Sequence, residues 1–134
     1  MAIVRWLTDT LTTLFAGNAE REYRQLCKNR PMLTDQEFFD AFYRVSEISF
    51  DTCARVRRVL KTQLSMSNVR PDDNITIIFD DLDLWDICFE FSEEFGLKFP
   101  DNIVNIMDGT VDSLIRKTER LRTESANRGS GLST

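Results

Sequence analysis

ITIIFDDLDLWD (Ile75–Asp86) is the stretch on which the reading of this chain turns. Four apolar residues lead into Asp80, Asp81, Leu82 and Asp83. As a buried strand ending in carboxylates, it would build an active site. As a loop turning into an acidic helix, it would build a docking surface. The residues on either side separate the two readings.

Composition narrows the choice. The chain has 134 residues, room for one domain with an ordinary core. It is 42% hydrophobic, enough to fold rather than stay disordered. A net charge of -5 argues against nucleic acid as a main partner. There is no histidine, which removes the commonest general base and the commonest zinc ligand. Cys27, Cys53 and Cys88 are odd in number and widely spaced, so they form neither a disulfide framework nor a CxxC knuckle. Free thiols in a reducing cytoplasm are the simpler expectation. The first residues, MAIVRWLTDTLTTLFAG, do not read as a secretory signal, because Asp9 and several threonines interrupt them and no basic cluster precedes them. Ile3, Leu7, Leu11 and Leu14 fall on one helical face, with Val4 and Phe15 beside it. That face fits a helix packed on the domain better than one lying on a membrane, since Arg5 is its only basic residue. No segment is long enough to span a bilayer.

Helical signals recur along the chain. Residues 18–31 read as a short exposed helix closed by Pro31. Thr34 with Glu37 three residues later forms a capping-box pattern, and Phe38, Ala41, Phe42 and Val45 follow at helical spacing. Ser49 is the expected N-cap of the next helix. In that helix Cys53, Val56, Val59, Leu60 and Leu64 should point inward, with Arg55, Arg57, Arg58 and Lys61 outward. Pro71 and a polar cluster mark a long loop. Residues 81–95 read as a helix with Gly96 at its C-terminal cap. Asp101 can cap a short helix ending near Ile106. A last helix buries Val111, Leu114, Ile115 and Leu121. The expected class is therefore all-α. The expected organisation is an N-terminal helical extension over 1–48, a helical bundle over 49–122 and a disordered tail over 123–134.

Two carboxylate chemistries fail on context. Asp81 and Asp83 have the Asp-x-Asp spacing of haloacid-dehalogenase-like phosphatases, where one carboxylate attacks phosphorus and the other handles the leaving group. That chemistry needs a parallel sheet, further Ser/Thr and Lys motifs and a second acidic pair for Mg²⁺. The 51 residues after Asp83 hold no further strand-like run. A phospho-accepting receiver domain fails for the same reason. A calcium loop starting at Asp81 would place Trp85 and Asp86 where a ligand and the turn glycine belong. No catalytic residue and no metal ligand is assigned.

The helical reading meets a known pattern. VRRVLKTQLSMSNVRPDDN followed by DDLDLWDICFEFSEEFGLKFPDNIVNIMDGTVDSLI resembles the acyl carrier protein family. Asp80-Asp81-Leu82-Asp83 matches the family's Asp-Ser-Leu-Asp opening of its second helix. Glu93-Glu94-Phe95 matches the end of that helix, Phe99-Pro100-Asp101 the following turn, and Gly109-Thr110-Val111 the start of the last helix. The resemblance covers residues 53–120 and implies a small four-helix bundle. It departs where the family's chemistry lies. The family's serine carries 4′-phosphopantetheine through a phosphodiester, and this chain has Asp81 there. A carboxylate cannot form that stable ester. Asp81 can still cap the helix and place a negative charge at its positive end. Ser65, Ser67 and Ser92 stand too far away to substitute. No prosthetic group and no cofactor is expected.

The resemblance also implies where a partner binds. Leu84, Ile87, Cys88, Phe91 and Phe95 form the stripe expected in the core. Leu82, Trp85 and Phe89 form a second stripe among Asp81, Asp83, Asp86, Glu90 and Glu93. In the resembled family that face docks enzymes through exposed apolar residues ringed by acids. Residues 71–112 carry 12 acidic residues and one basic residue, Lys98, a charge of -11 that leaves +6 for the rest. The expected partner is a protein with a basic face, of the fatty-acid or polyketide enzyme type. Nucleic acid and membrane are not expected. Residues 1–48 carry enough apolar surface, including Trp6, Phe38, Phe39 and Phe42, to cover the stripe instead. The alternatives are a true carrier modified at another residue and the small phosphatase-like enzyme.

Overall fold

The computed structural model describes residues 19–78, 81–99 and 108–132, without the side chains of Ile77, Asp81 to Trp85 and residues 129–132. Expectations for residues 1–17, for Asp101 and for the helix near Ile106 lie outside the described residues. Regular structure among the described residues is helical: α1 (19–29), α2 (Asp35–Phe42), α3 (Phe50–Leu64), α4 (Ile75–Ile78), α5 (Asp81–Phe95) and α6 (Val111–Leu132). One isolated antiparallel bridge joins Asn74 to Thr110. The chain is all-α. The stretch that posed the question is one helical turn, α4, whose Ile75 and Ile78 are buried, with α5 beginning at Asp81.

α3 is the central helix, packed on α2, α5 and α6. Its start is fixed by Ser49, whose side chain accepts the Thr52 N–H. Its end is fixed by Ser65 in the left-handed region at φ 56°, with Met66 N–H reaching back to Leu60 O at 3.3 Å. Cys53, Val56, Val59, Leu60 and Leu64 are all buried, as their spacing predicts. Each fully buried aliphatic side chain contributes roughly 1.5–3 kcal/mol of apolar transfer energy. Arg57 departs from the expected outward set: it is only 8% exposed. Its guanidinium lies 4.8 Å from the centroid of Phe38 and donates to Asp35 (2.5 Å) and Leu33 O (2.9 Å). Paired and hydrogen-bonded, a buried cation is tolerated.

α6 is fastened to the start of α3 by a carboxylate from far along the chain. Glu119 accepts from Ser49 N–H at 3.1 Å and from the Ser49 and Thr52 hydroxyls. Arg122 donates to the Thr52 hydroxyl at 2.7 Å and pairs with Asp51 at 3.0 Å. α6 continues through residues 123–132, where a disordered tail was expected. An Arg120–Glu124 ion pair one turn apart spans the expected boundary and supports the continuation.

α2 carries both halves of its capping box, Thr34 and Glu37. It ends at Phe42, earlier than the periodicity predicts. The chain then turns, Tyr43 enters the core, and Val45, expected inward, is fully exposed. The Tyr43 hydroxyl donates to Asp112 at 2.6 Å. Burial first, and that neighbouring carboxylate second, push the phenol well above its ordinary range.

α1 is not the exposed helix its polar sequence suggests. Tyr23 is buried and donates to Asp73 at 2.8 Å. Arg30 pairs with both carboxylate oxygens of Asp73, at 2.5 and 3.1 Å. The Asn68 side chain donates to the Cys27 and Arg30 carbonyls at the end of α1. One hydrophobic cluster therefore includes Tyr23, Phe38 and Tyr43 together with the residues of α3, α5 and α6. The Asp73 network gives a direct test. Arg30→Met leaves a buried carboxylate without its cation and should cost about 3 kcal/mol, read by urea denaturation. A loss under about 1 kcal/mol would show that the pair does not hold α1 in place.

Candidate docking surface

α5 divides cleanly into two faces. Ile87 and Phe91 are buried against α3, and Cys88 and Phe95 pack at the edge of the core. Phe91 stacks on Phe95 with centroids 6.1 Å apart and meets the buried Phe99 at 5.9 Å. The guanidinium groups of Arg55 and Arg122 lie 4.6 and 5.3 Å from the Phe95 centroid. Gly96, at φ 62°, ends the helix as its position predicts, with Leu97 N–H reaching back to Ser92 O.

The other face holds Asp86, Phe89, Glu90 and Glu93. These four share one side of the helix at i, i+3, i+4 and i+7. Phe89 is 61% exposed, Asp86 and Glu93 are exposed, and Glu90 is half-buried. None of the three acids makes an ion pair among the described residues. Leu82 and Trp85 fall on the same stripe by spacing. Their side chains, with those of Asp81, Asp83 and Leu84, lie outside the described residues. The described part of residues 1–48 packs on α3, on the loop before α4 and on the start of α6: Asp35 and Phe38 meet Arg57, Tyr23 and Arg30 meet Asp73, and Tyr43 meets Asp112.

Glu94, next in line, is held differently. Arg55 Nε donates to its carboxylate at 3.1 Å, Arg55 also reaches its carbonyl, and Arg58 pairs with the same carboxylate. Partial burial favours the protonated form, but the hydrogen bonds from Arg55 and Arg58 outweigh it, and the carboxyl sits below its ordinary value. A groove of about 350 Å³ runs between α3 and α5, lined by Arg58, Thr62, Glu90, Glu93 and Glu94 among others.

The other polar clusters have structural uses. Asp108 is held at about 2 by hydrogen bonds from the Ser113 and Thr110 hydroxyls and the Thr110 N–H, and Thr110 caps the start of α6 by accepting the Ser113 N–H at 3.2 Å. Ser92 donates to Cys88 O at 3.0 Å and accepts from Phe99 N–H at 3.4 Å. No disulfide joins the cysteines among the described residues, and burial pushes the Cys53 thiol up to about 12. Among the described residues no group of His, Cys, Asp and Glu could hold a metal ion. No helix among them is long and apolar enough to cross a membrane. Comparison with known protein families, with curated proteins and with solved structures gives no match to this chain.

Two outcomes test this geometry. Phe89→Ala should change stability by less than about 0.5 kcal/mol, whereas Phe91→Ala should cost about 3–5 kcal/mol, both read by urea denaturation. Glu94 should also shape the acid limb of stability. Its folded value lies below the ordinary 4.5, so its contribution is complete above about that pH and is lost as pH falls through the folded value. Glu94→Gln should lower stability at neutral pH and converge on the wild type in acid. Parallel pH profiles would contradict the ion-pair assignment.

Proposed function

We propose that this protein is a non-catalytic docking domain of the acyl-carrier type. It binds a basic face of another protein through α5 and carries no phosphopantetheine arm. The observation that carries this reading is Phe89, 61% exposed among three acids that have no ion pair among the described residues. An aromatic anchor ringed by charge is the form of an interaction hot spot, with the acids steering and orienting the partner. The order of elements supports the comparison with carriers: a first long helix α3, a loop containing α4, α5 opening at Asp81, and α6 opening after Gly109 and Thr110. On this reading α3, α5 and α6 are three helices of a four-helix bundle, and residues 100–107, where the resemblance puts the remaining one, lie outside the described residues. Asp81 occupies the attachment position. The partner belongs among enzymes that act on carried acyl chains.

Two measurements check it. After incubation with a phosphopantetheinyl transferase and coenzyme A, the intact mass should not change. A gain of one phosphopantetheine would make the protein a true carrier. Capture of partners on immobilised protein should weaken at least about tenfold with Phe89→Ala and with Glu90→Lys. Trp85→Ala tests the neighbouring anchor in the same assay. Binding indifferent to all three changes would remove α5 as the docking element.

A further inference from the structure

Two neighbouring depressions, of about 680 and 230 Å³, share Met32, Met66 and Ser67 and so form one continuous groove from α1 to α3. Its middle is apolar: Met66 is buried and Met32 is 64% exposed. Lys28 lines it from α1 and Lys61 from α3. Both lysines are exposed and make no ion pair among the described residues. The other cations are engaged: Arg24 by Glu20, Arg57 by Asp35, and Arg55 and Arg58 by Glu94.

The exposed face of α5 has the opposite character. It offers an aromatic ring where the groove offers a thioether, a favourable contact. It offers Asp86, Glu90 and Glu93 where the groove offers Lys28 and Lys61. Arg58 lines both this groove and the α3–α5 groove, so it stands on the ridge between the two surfaces. Surfaces that flank a ridge on one body can meet only on two bodies.

We infer that a second copy of this chain is a partner for α5, seated through its α1–α3 groove; the inference rests on the docking reading of α5. A two-fold axis along the Arg58 ridge lays each acidic face against the other copy's lysines, so two identical contacts form at once and close the assembly. The association is electrostatically steered and screened by salt. It masks the docking face when the protein is concentrated and frees it for a basic partner on dilution.

Sedimentation of the full chain from about 10 μM to about 1 mM tests this. In low salt the mass should double with concentration, and high salt should reverse it. Lys28→Glu with Lys61→Glu should give a monomer that melts like the wild type, and so should Glu90→Lys with Glu93→Lys. Mixed in equal amounts, the two variants should form a dimer again, because each reversed charge now meets its opposite. A wild type that stays monomeric in low salt, a dimer untouched by either variant, or a mixture that stays monomeric would each overturn the inference. The docking reading fails separately. If the chain is monomeric but partner capture still depends on Glu90, α5 remains a docking element and only the second copy is removed.

Discussion

The fold depends on where Asp73 puts its oxygens. A carboxylate this deeply buried costs several kcal/mol unless it is paired and hydrogen-bonded. Asp73 meets that demand from two directions. Its side chain accepts from Tyr23 and Arg30 of α1 and from the Arg70 N–H of its own loop. Its backbone carbonyl accepts the Val111 N–H at the start of α6, at 2.9 Å. The flanking residues repeat the connection: Asp112 N–H donates to Pro71 O, and Ile75 N–H donates to Gly109 O, both at 2.8 Å. One residue thus ties the first helix, the long loop and the last helix to a common point. Gly109 is required there, because at φ 86° a Cβ would lie 2.5 Å from the Thr76 hydroxyl.

This latch explains what the sequence could and could not reveal. Local rules were legible wherever the controlling partner lies within a turn. Thr34 with Glu37, Ser49 and Gly96 mark real helix ends, and the inward set of α3 follows from its spacing. Two of the misreadings share one cause, a partner distant in sequence, and a third comes from an early helix end. Arg57 looked like a solvated cation because Asp35 and Phe38 lie about twenty residues away. Tyr23 and Arg30 looked exposed because Asp73 is more than forty residues away. Val45 looked inward because periodicity cannot show that α2 stops at Phe42 and hands its place to Tyr43. At the candidate site, the spacing of α5 placed Phe89, Glu90 and Glu93 together. It could not show that Glu94, of the same residue type, turns inward to Arg55 and Arg58.

The contrast between Glu94 and its neighbours sets two kinds of acid side by side on one helix. The cations along α3 are matched by particular acids: Arg55 and Arg58 by Glu94, Arg57 by Asp35, with Asp51 shared between Arg55 and Arg122. Each of these pairs links two elements or braces a helix end. α3 therefore has no cation left over for Asp86, Glu90 or Glu93 except Lys61, which faces the other groove. Acids that hold the bundle together and acids that face outward are distinct sets, although the sequence presents them as one run.

Carrying the second set has a cost. Like charges at i,i+3 and i,i+4 spacing destabilise a helix by about 0.2–0.5 kcal/mol a pair, and Asp86, Glu90 and Glu93 make two such pairs. An exposed phenylalanine between them adds apolar surface left in water. A chain selected for stability alone would place lysines at some of these positions. Residues 71–112 instead hold 12 acids against Lys98 alone. The described residues offer this excess charge no compensating contact on the outer face of α5. Cations supplied by a partner would remove the repulsion and cover the ring at once, and that joint requirement argues for a basic docking face.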